Sequence, residues 1–362
     1  MKPNELIRDP VFQLNLLLWM AKEQPKDNWR VRPLFWEHGF GILYIEQPFR
    51  FPVETSRAIQ ASALGVSIAP EPELILARGS NGKALYFEAK ANSFGPASSN
   101  CHQARGHLMA VGPAFAETYR PLNECLLCYV LPSGKRSIMA RCLNELTVEL
   151  TGAKLLPGTY SVHTMSVSKD VLVYSWDSAF RDHTGATGAK ATVLRGITDD
   201  TDPTPLLLVY TDEDSPNPEM QGFYRRAMIE QTRARLLCGI HAHHDVATPY
   251  EITVDDLLKR TTEGVYEYLA RERQSSLRRL VLVNLLRPIR DHWKEKQPTC
   301  VSLVDDEVLT IRWVGSSEKE QFLDWLEDRA TRFPECRPAK EGPTLFDTEA
   351  APVPDNPTPS DS

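Results

Sequence analysis

No apolar run in this 362-residue sequence is long enough to cross a bilayer. The best candidate, Val11 to Ala21, is broken by Gln13 and Asn15 and follows Asp9. No small-residue cleavage site comes after it, so it reads as a buried or amphipathic helix ending near Gln24-Pro25, not as an export signal. The expectation is a cytoplasmic protein with no membrane partner. Cysteine is scarce too. The seven, at 101, 125, 128, 142, 238, 300 and 336, are odd in number and form no paired framework. That excludes a disulfide-built module and fits a reducing compartment. Cys125 and Cys128 have the spacing of a redox or metal motif, but they fall in an apolar strand, where positions three apart face opposite sides. They are expected to be two separate buried thiols.

An excess of positive charge is also missing. Lys and Arg number 41 against 48 Asp and Glu, a net charge of −7. A nucleic-acid-binding protein of this composition must gather its cations locally. The stretch 271–296 does so, with eight Arg or Lys (Arg273, Arg278, Arg279 and Arg287 among them) against three acids. Its exposed charges suit a phosphate backbone as well as they suit a solvated helix face. A phosphate-binding loop is absent: Gly185 to Thr192 lacks the adjacent Gly-Lys-Ser/Thr ending, and no strong strand leads directly into it. His241, His243, His244 and Asp245 crowd one short segment, but adjacent ligands rarely enclose a tetrahedral ion, so a polar loop is expected.

What is present is an ordinary globular composition, 42% hydrophobic and 25% charged, at a length that suits two domains or one elaborated domain. The chain divides into residues 1–150, a β-rich segment with an acidic linker at 151–218, a mostly helical region at 219–334 and a Pro- and acid-rich tail at 335–362. The tail is expected to be disordered, with Thr344-Leu345-Phe346-Asp347 as its one apolar island. Strands are expected at Thr147–Leu150, Tyr160–His163, Val171–Tyr174 and Leu206–Tyr210, with a loop over 181–196. Thr253 reads as a helix N-cap, and a hairpin is expected around Asp305-Asp306.

The chemistry concentrates at residues 72–90. Leu74 to Arg78 and Lys83 to Lys90 flank a Gly79-Ser80-Asn81-Gly82 turn, which predicts a β-hairpin. Alternation puts Glu88 and Lys90 on one face, with Leu85, Phe87 and Ala89 on the other. Folding the hairpin brings Glu73 beside Glu88, so two carboxylates and an ammonium meet. Like charges held close need a partner, and a divalent cation that keeps several waters and takes phosphate oxygens meets that need. Lys90 can then handle the attacking water or the charge on phosphorus.

Pro72-Glu73 followed by Glu88-Ala89-Lys90 resembles the PD-(D/E)xK nuclease superfamily, over roughly residues 50–135. Glu73 stands where that family usually has Asp, and Glu71 on the same face is the alternate. The resemblance implies a mixed α/β fold with a restriction-endonuclease-like core, running helix, three strands, helix, strand. The first helix would begin at Pro52 and carry Glu54, a metal ligand in some branches. The second would carry Gln103 and His107, where exonuclease-like branches have Gln-x-x-x-Tyr, and Leu126 to Val130 would form the last strand. The implied activity is metal-dependent hydrolysis of phosphodiester bonds in DNA, in restriction, phage defence or repair. Mg²⁺ or Mn²⁺ would sit on Glu54, Glu73 and Glu88, Lys90 would act on water, and Gln103 would hold substrate or orient a catalytic side chain. Implied partners are DNA, a helicase or ATPase or other defence-system subunit, and a second copy of the chain. Loss of the usual Asp motivates an alternative, a catalytically inactive nuclease-like subunit that binds nucleic acid or scaffolds a complex. A small-molecule enzyme built on His241–His244 is the third reading.

Overall fold

A computed structural model describes residues 3–25, 29–79, 82–96, 98–198, 204–210, 218–296 and 301–328. Helices α1 (Pro3–Leu6), α2 (Pro10–Ala21) and α3 (Leu34–Glu37) lead into β1 (Gly41–Ile45), α4 (Val53–Ala61) and the hairpin β2 (Leu74–Arg78) and β3 (Lys83–Ala89). Next come α5 (Asn100–Ala110), α6 (Pro113–Thr118), β4 (Glu124–Pro132), α7 (Arg136–Gly152), β5 (Thr159–Ser168), β6 (Val171–Ser175), α8 (Ser178–Thr184) and β7 (Lys190–Arg195). The remainder holds α9 (Pro218–Ala242), β8 (Tyr250–Thr253), α10 (Val254–Thr261), α11 (Arg271–Val281), α12 (Arg287–Lys296), β9 (Val301–Val304), β10 (Val308–Ile311) and α13 (Ser316–Glu327). A π-helical turn, Leu282–Leu286, joins α11 to α12.

Among the described residues β1 to β7 form one mixed sheet in sequence order. The β3–β4 and β4–β5 pairs are parallel and the outer pairs antiparallel. The parallel pairs are spanned by α5 and α7, as parallel neighbours require a crossover. The β-rich stretch therefore extends the same sheet. A second sheet, β8-β10-β9, carries the expected hairpin, with Asp305 and Asp306 both at positive φ in its turn.

Both faces of the large sheet are covered. Leu74, Leu76, Leu85, Phe87, Leu126, Cys128 and Val130 join a cluster that runs from Leu6 in α1 to Leu326 in α13. Ile75, Tyr86, Leu127 and Tyr129 face a second cluster built with α5 and α7. Cys125 belongs to the second cluster and Cys128 to the first, as strand alternation requires. α2 is buried all round, and its polar residues bond to backbone. Asn15 accepts from the N–H groups of Leu208 and Val209 and donates to Val209 O, and the indole of Trp19 donates to Leu206 O.

Four local expectations are corrected. Thr147 to Leu150 lie in helix α7, whose Met139, Cys142, Leu143, Leu146 and Leu150 are buried at helical spacing, so the 3.6-residue period outweighs the β-formers. Residues 181–196 hold the end of α8 and all of β7, leaving a short loop after Gly185, the left-handed C-cap of α8. Leu206 to Tyr210 form no strand: their buried backbone is paired with α2 side chains instead. β1 precedes α4, so two strands, not three, separate α4 from α5. Thr253 caps α10 as expected, accepting from Asp256 N. Ser80, Asn81 and the tail with its Thr344–Asp347 island lie outside the described residues.

Candidate active site

The β2–β3 register decides the site. Leu74 pairs with Phe87 and Glu73 N donates to Phe87 O, so Glu73 enters beside Glu88 on the same face. That face is the one of Ile75 and Tyr86, against α5. Gly82 holds a φ of +66° in the loop between the strands, and a Cβ there would crowd the Asn123 side chain and Pro121 O, so glycine is favoured.

Glu88 is 4% exposed. Its Oε1 accepts from Lys90 Nζ at 2.5 Å, and Nε2 of His107 faces its Oε2 at 3.6 Å. Oε2 is buried with no hydrogen-bond partner. Buried polar atoms are normally satisfied, so an orphan on a carboxylate marks a place for a further group. Burial pulls the Lys90 ammonium towards neutrality, but the charge and hydrogen bond of Glu88, with the charge of Glu73, outweigh it and hold its pKa above the usual lysine value. Lys90 is therefore a cation at neutral pH.

Glu73 and Glu88 both line one cleft of about 230 Å³. Its remaining polar lining is Glu46, Glu71, Gln103 and Arg273, and Pro10, Val11, Leu14 and Val209 make an apolar wall. α2 is held there by Gln13, which donates to Ile7 O and Lys90 O. Desolvation raises the Glu71 carboxyl above its usual value; Arg273 opposes this and Glu88 adds to it.

One of these residues, Glu46, escaped the sequence reading, and Arg273 entered it only as part of the basic stretch. Glu46 ends β1 with a φ of +51°, and Arg273 lies in the first turn of α11. Arg273 Nε donates to Glu46 Oε2 at 3.0 Å. They meet because Ile45 forms a bridge with Leu269 and accepts from Ala270 N, which sets the start of α11 against the end of β1. The signal for Arg273 was its place in the basic stretch; Glu46 carried only the weak signal of an acid closing an apolar strand.

The expected residues divide accordingly. Glu73, Glu88, Lys90 and Gln103 gather at the cleft, Gln103 at its mouth and Lys90 against Glu88. His107, one turn along α5 from Gln103, reaches Glu88 from the buried side. Glu54 does not join them: it is exposed in the first turn of α4 and does not line the cleft. With α4 inserted between β1 and β2, it is Glu46 at the end of β1 that reaches the cleft. Among the described residues no three His, Cys, Asp or Glu are grouped tightly enough to hold an ion by themselves. His241 lies in the last turn of α9, not in a loop, and faces Glu327; the polar loop begins at His243, which is engaged with Thr248 O. Compared with protein-family models, curated proteins and solved structures, the chain matches none.

No described helix is long and apolar enough to cross a membrane.

Proposed function

We propose that this cleft hydrolyses phosphodiester bonds of DNA with Mg²⁺ or Mn²⁺, as a nuclease of the PD-(D/E)xK kind. The observation that carries this is the paired placement of Glu73 and Glu88 across β2 and β3, with Lys90 bonded to Glu88. The donor set fits a hard cation that keeps most of its waters, because Mg²⁺ needs only one or two carboxylates and completes its shell with water and phosphate oxygens. Glu88 Oε2 and Glu73 would hold it, and Glu71 is a further oxygen at the rim. When bound, the ion supplies a more acidic water and shields charge on the phosphate.

The chain's own residues do the rest. Lys90 is fixed as an ammonium and can donate to the attacking water or to the oxygen that gains charge. Arg273 offers a planar pair of donors to a phosphate, the geometry in which arginine exceeds lysine. Gln103 can fix a sugar or base edge at the mouth. Pro10, Val11 and Leu14 exclude bulk water from one side, which strengthens each of these interactions.

The alternative of an inactive, nucleic-acid-binding subunit keeps the same fold and loses the chemistry. Cleavage of single-stranded and duplex oligonucleotides with Mg²⁺ or Mn²⁺ separates the two. Wild type is expected to cut, with Glu88→Gln and Lys90→Ala each slower by at least about a hundredfold at unchanged circular dichroism. Equal rates in all three would remove the assigned site. A metal-dependent stabilisation that Glu88→Gln lacks, worth about 2.7 kcal/mol at a hundred times Kd and read as a rise in Tm, would show the ion binding there.

A further inference from the structure

Next to the active cleft lies a larger one, of about 580 Å³. The two share a wall. Glu46 lines the first and Gln47 the second; Arg273 lines the first and Arg271 the second. Glu46 and Arg273, paired with each other, thus line the first cleft while their chain neighbours line the second.

The lining of the second cleft is unusual for solvated surface. Three tyrosines, Tyr44, Tyr119 and Tyr268, contribute to it, with Arg50 and Arg271 exposed at its edge. Tyr44 and Tyr119 pack ring to ring with centroids 5.6 Å apart, and Tyr268 is left 42% exposed. Glu267 and Glu272 also border it, and Glu267 is paired with Lys259. Aromatic rings with free area beside arginines are the surface that takes nucleobases and the phosphates between them, because every base has a stacking face and every linkage an anion. A duplex hides its base faces and could engage only the arginines.

We propose that this cleft binds single-stranded nucleic acid, holding nucleotides that flank the bond presented in the active cleft. A base stacks on Tyr268, and Arg50 and Arg271 hold phosphates. The occupant is set by the tyrosine ring faces beside Arg50 and Arg271, at a cleft whose charge is otherwise balanced by Glu267 and Glu272, and by continuity with the neighbouring site. The orientation of the strand rests on the nuclease reading; the binding itself does not. The substrate of the cleft is then a single strand, or a strand end or flap, and not an intact duplex.

The test is fluorescence anisotropy of a labelled 12-nucleotide single strand and its duplex on full-length Glu88→Gln protein, with Tyr268→Ala, Tyr268→Phe and Arg271→Ala added. Expected are tighter binding of the single strand, a loss of roughly tenfold in Tyr268→Ala, near-full affinity in Tyr268→Phe and a shallower salt dependence in Arg271→Ala. Equal affinity for single strand and duplex, or no loss in both Tyr268→Ala and Arg271→Ala, overturns the proposal. Cleavage of a minimal phosphodiester, bis(p-nitrophenyl) phosphate, is read in parallel on wild type. Cleavage there with no strand preference sinks the groove alone, whereas strand binding without any cleavage sinks the nuclease reading alone.

Discussion

The imidazole of His107 bridges Tyr86 and Glu88: its Nδ1 lies 2.8 Å from the Tyr86 hydroxyl and its Nε2 3.6 Å from Glu88 Oε2. Burial, and then the charge of Glu88, push the Tyr86 phenol well above its usual pKa, so it stays protonated and donates to Nδ1. The ring proton then sits on Nε2, aimed at the carboxylate. His107→Leu should remove the N–H that faces Glu88 across 3.6 Å and slow cleavage roughly threefold to tenfold, the worth of a weak polar contact to a charged group. Cleavage rates of His107→Leu and wild type at unchanged circular dichroism check this; equal rates would leave His107 a packing residue only.

Arg273 comes to the cleft from the far half of the chain, and its removal tests whether that half belongs to the site. Arg273→Ala should raise KM for an oligonucleotide about tenfold with kcat less affected, since a phosphate held equally in ground and transition states contributes to binding alone. Arg273→Lys should recover only part, because it loses the planar pair of donors. Steady-state kinetics on the three proteins checks this, and a pure kcat loss would place Arg273 in the chemical step.

His107 and His163 make stability fall with acid. Burial lowers both below the usual 6.5; Glu88 partly opposes it for His107, and Asp177 for His163. His163 Nδ1 lies 2.7 Å from the Tyr174 hydroxyl in the core. A folded pKa below the unfolded one means that above about pH 6.5 both states are neutral and no penalty arises. As pH drops through that value the unfolded chain gains protons that the folded chain refuses. Each histidine then costs up to about 1.4 kcal/mol per pH unit until its folded pKa is reached. Urea midpoints between about pH 7.5 and 5.5 should decline, and His163→Gln should flatten the decline even where it lowers the starting stability.

Asn15 holds the buried segment Leu206–Tyr210 in place through three backbone groups. Asn15→Leu keeps the volume and strands all three. At about 1–3 kcal/mol for each buried group left unpaired, the loss should reach at least about 3 kcal/mol in urea denaturation. Val209 lines the proposed nuclease cleft, so any cleavage activity should weaken along with this loss.

The hairpin was legible because its signals are local. Two apolar runs around a turn, with a period of two, place Glu88 and Lys90 together and Glu73 opposite, whatever the rest of the chain does. The same holds for the split of Cys125 and Cys128 between two faces and for the Thr253 cap. Where two periods compete, as at Thr147 to Leu150, the sequence misleads until the whole buried stripe of α7 is counted.

Only the tertiary structure decided how the cleft is closed. Glu46 and Arg273 stand far apart in sequence and meet through the Ile45–Leu269 bridge, a contact that neither residue's neighbours encode. Which glutamate accompanies the hairpin depends on where α4 is inserted, and this turned the choice from Glu54 to Glu46. Side-chain alternation acts over a few residues and is written in each strand; the packing of remote elements is a sum over the whole core, and no short stretch contains it.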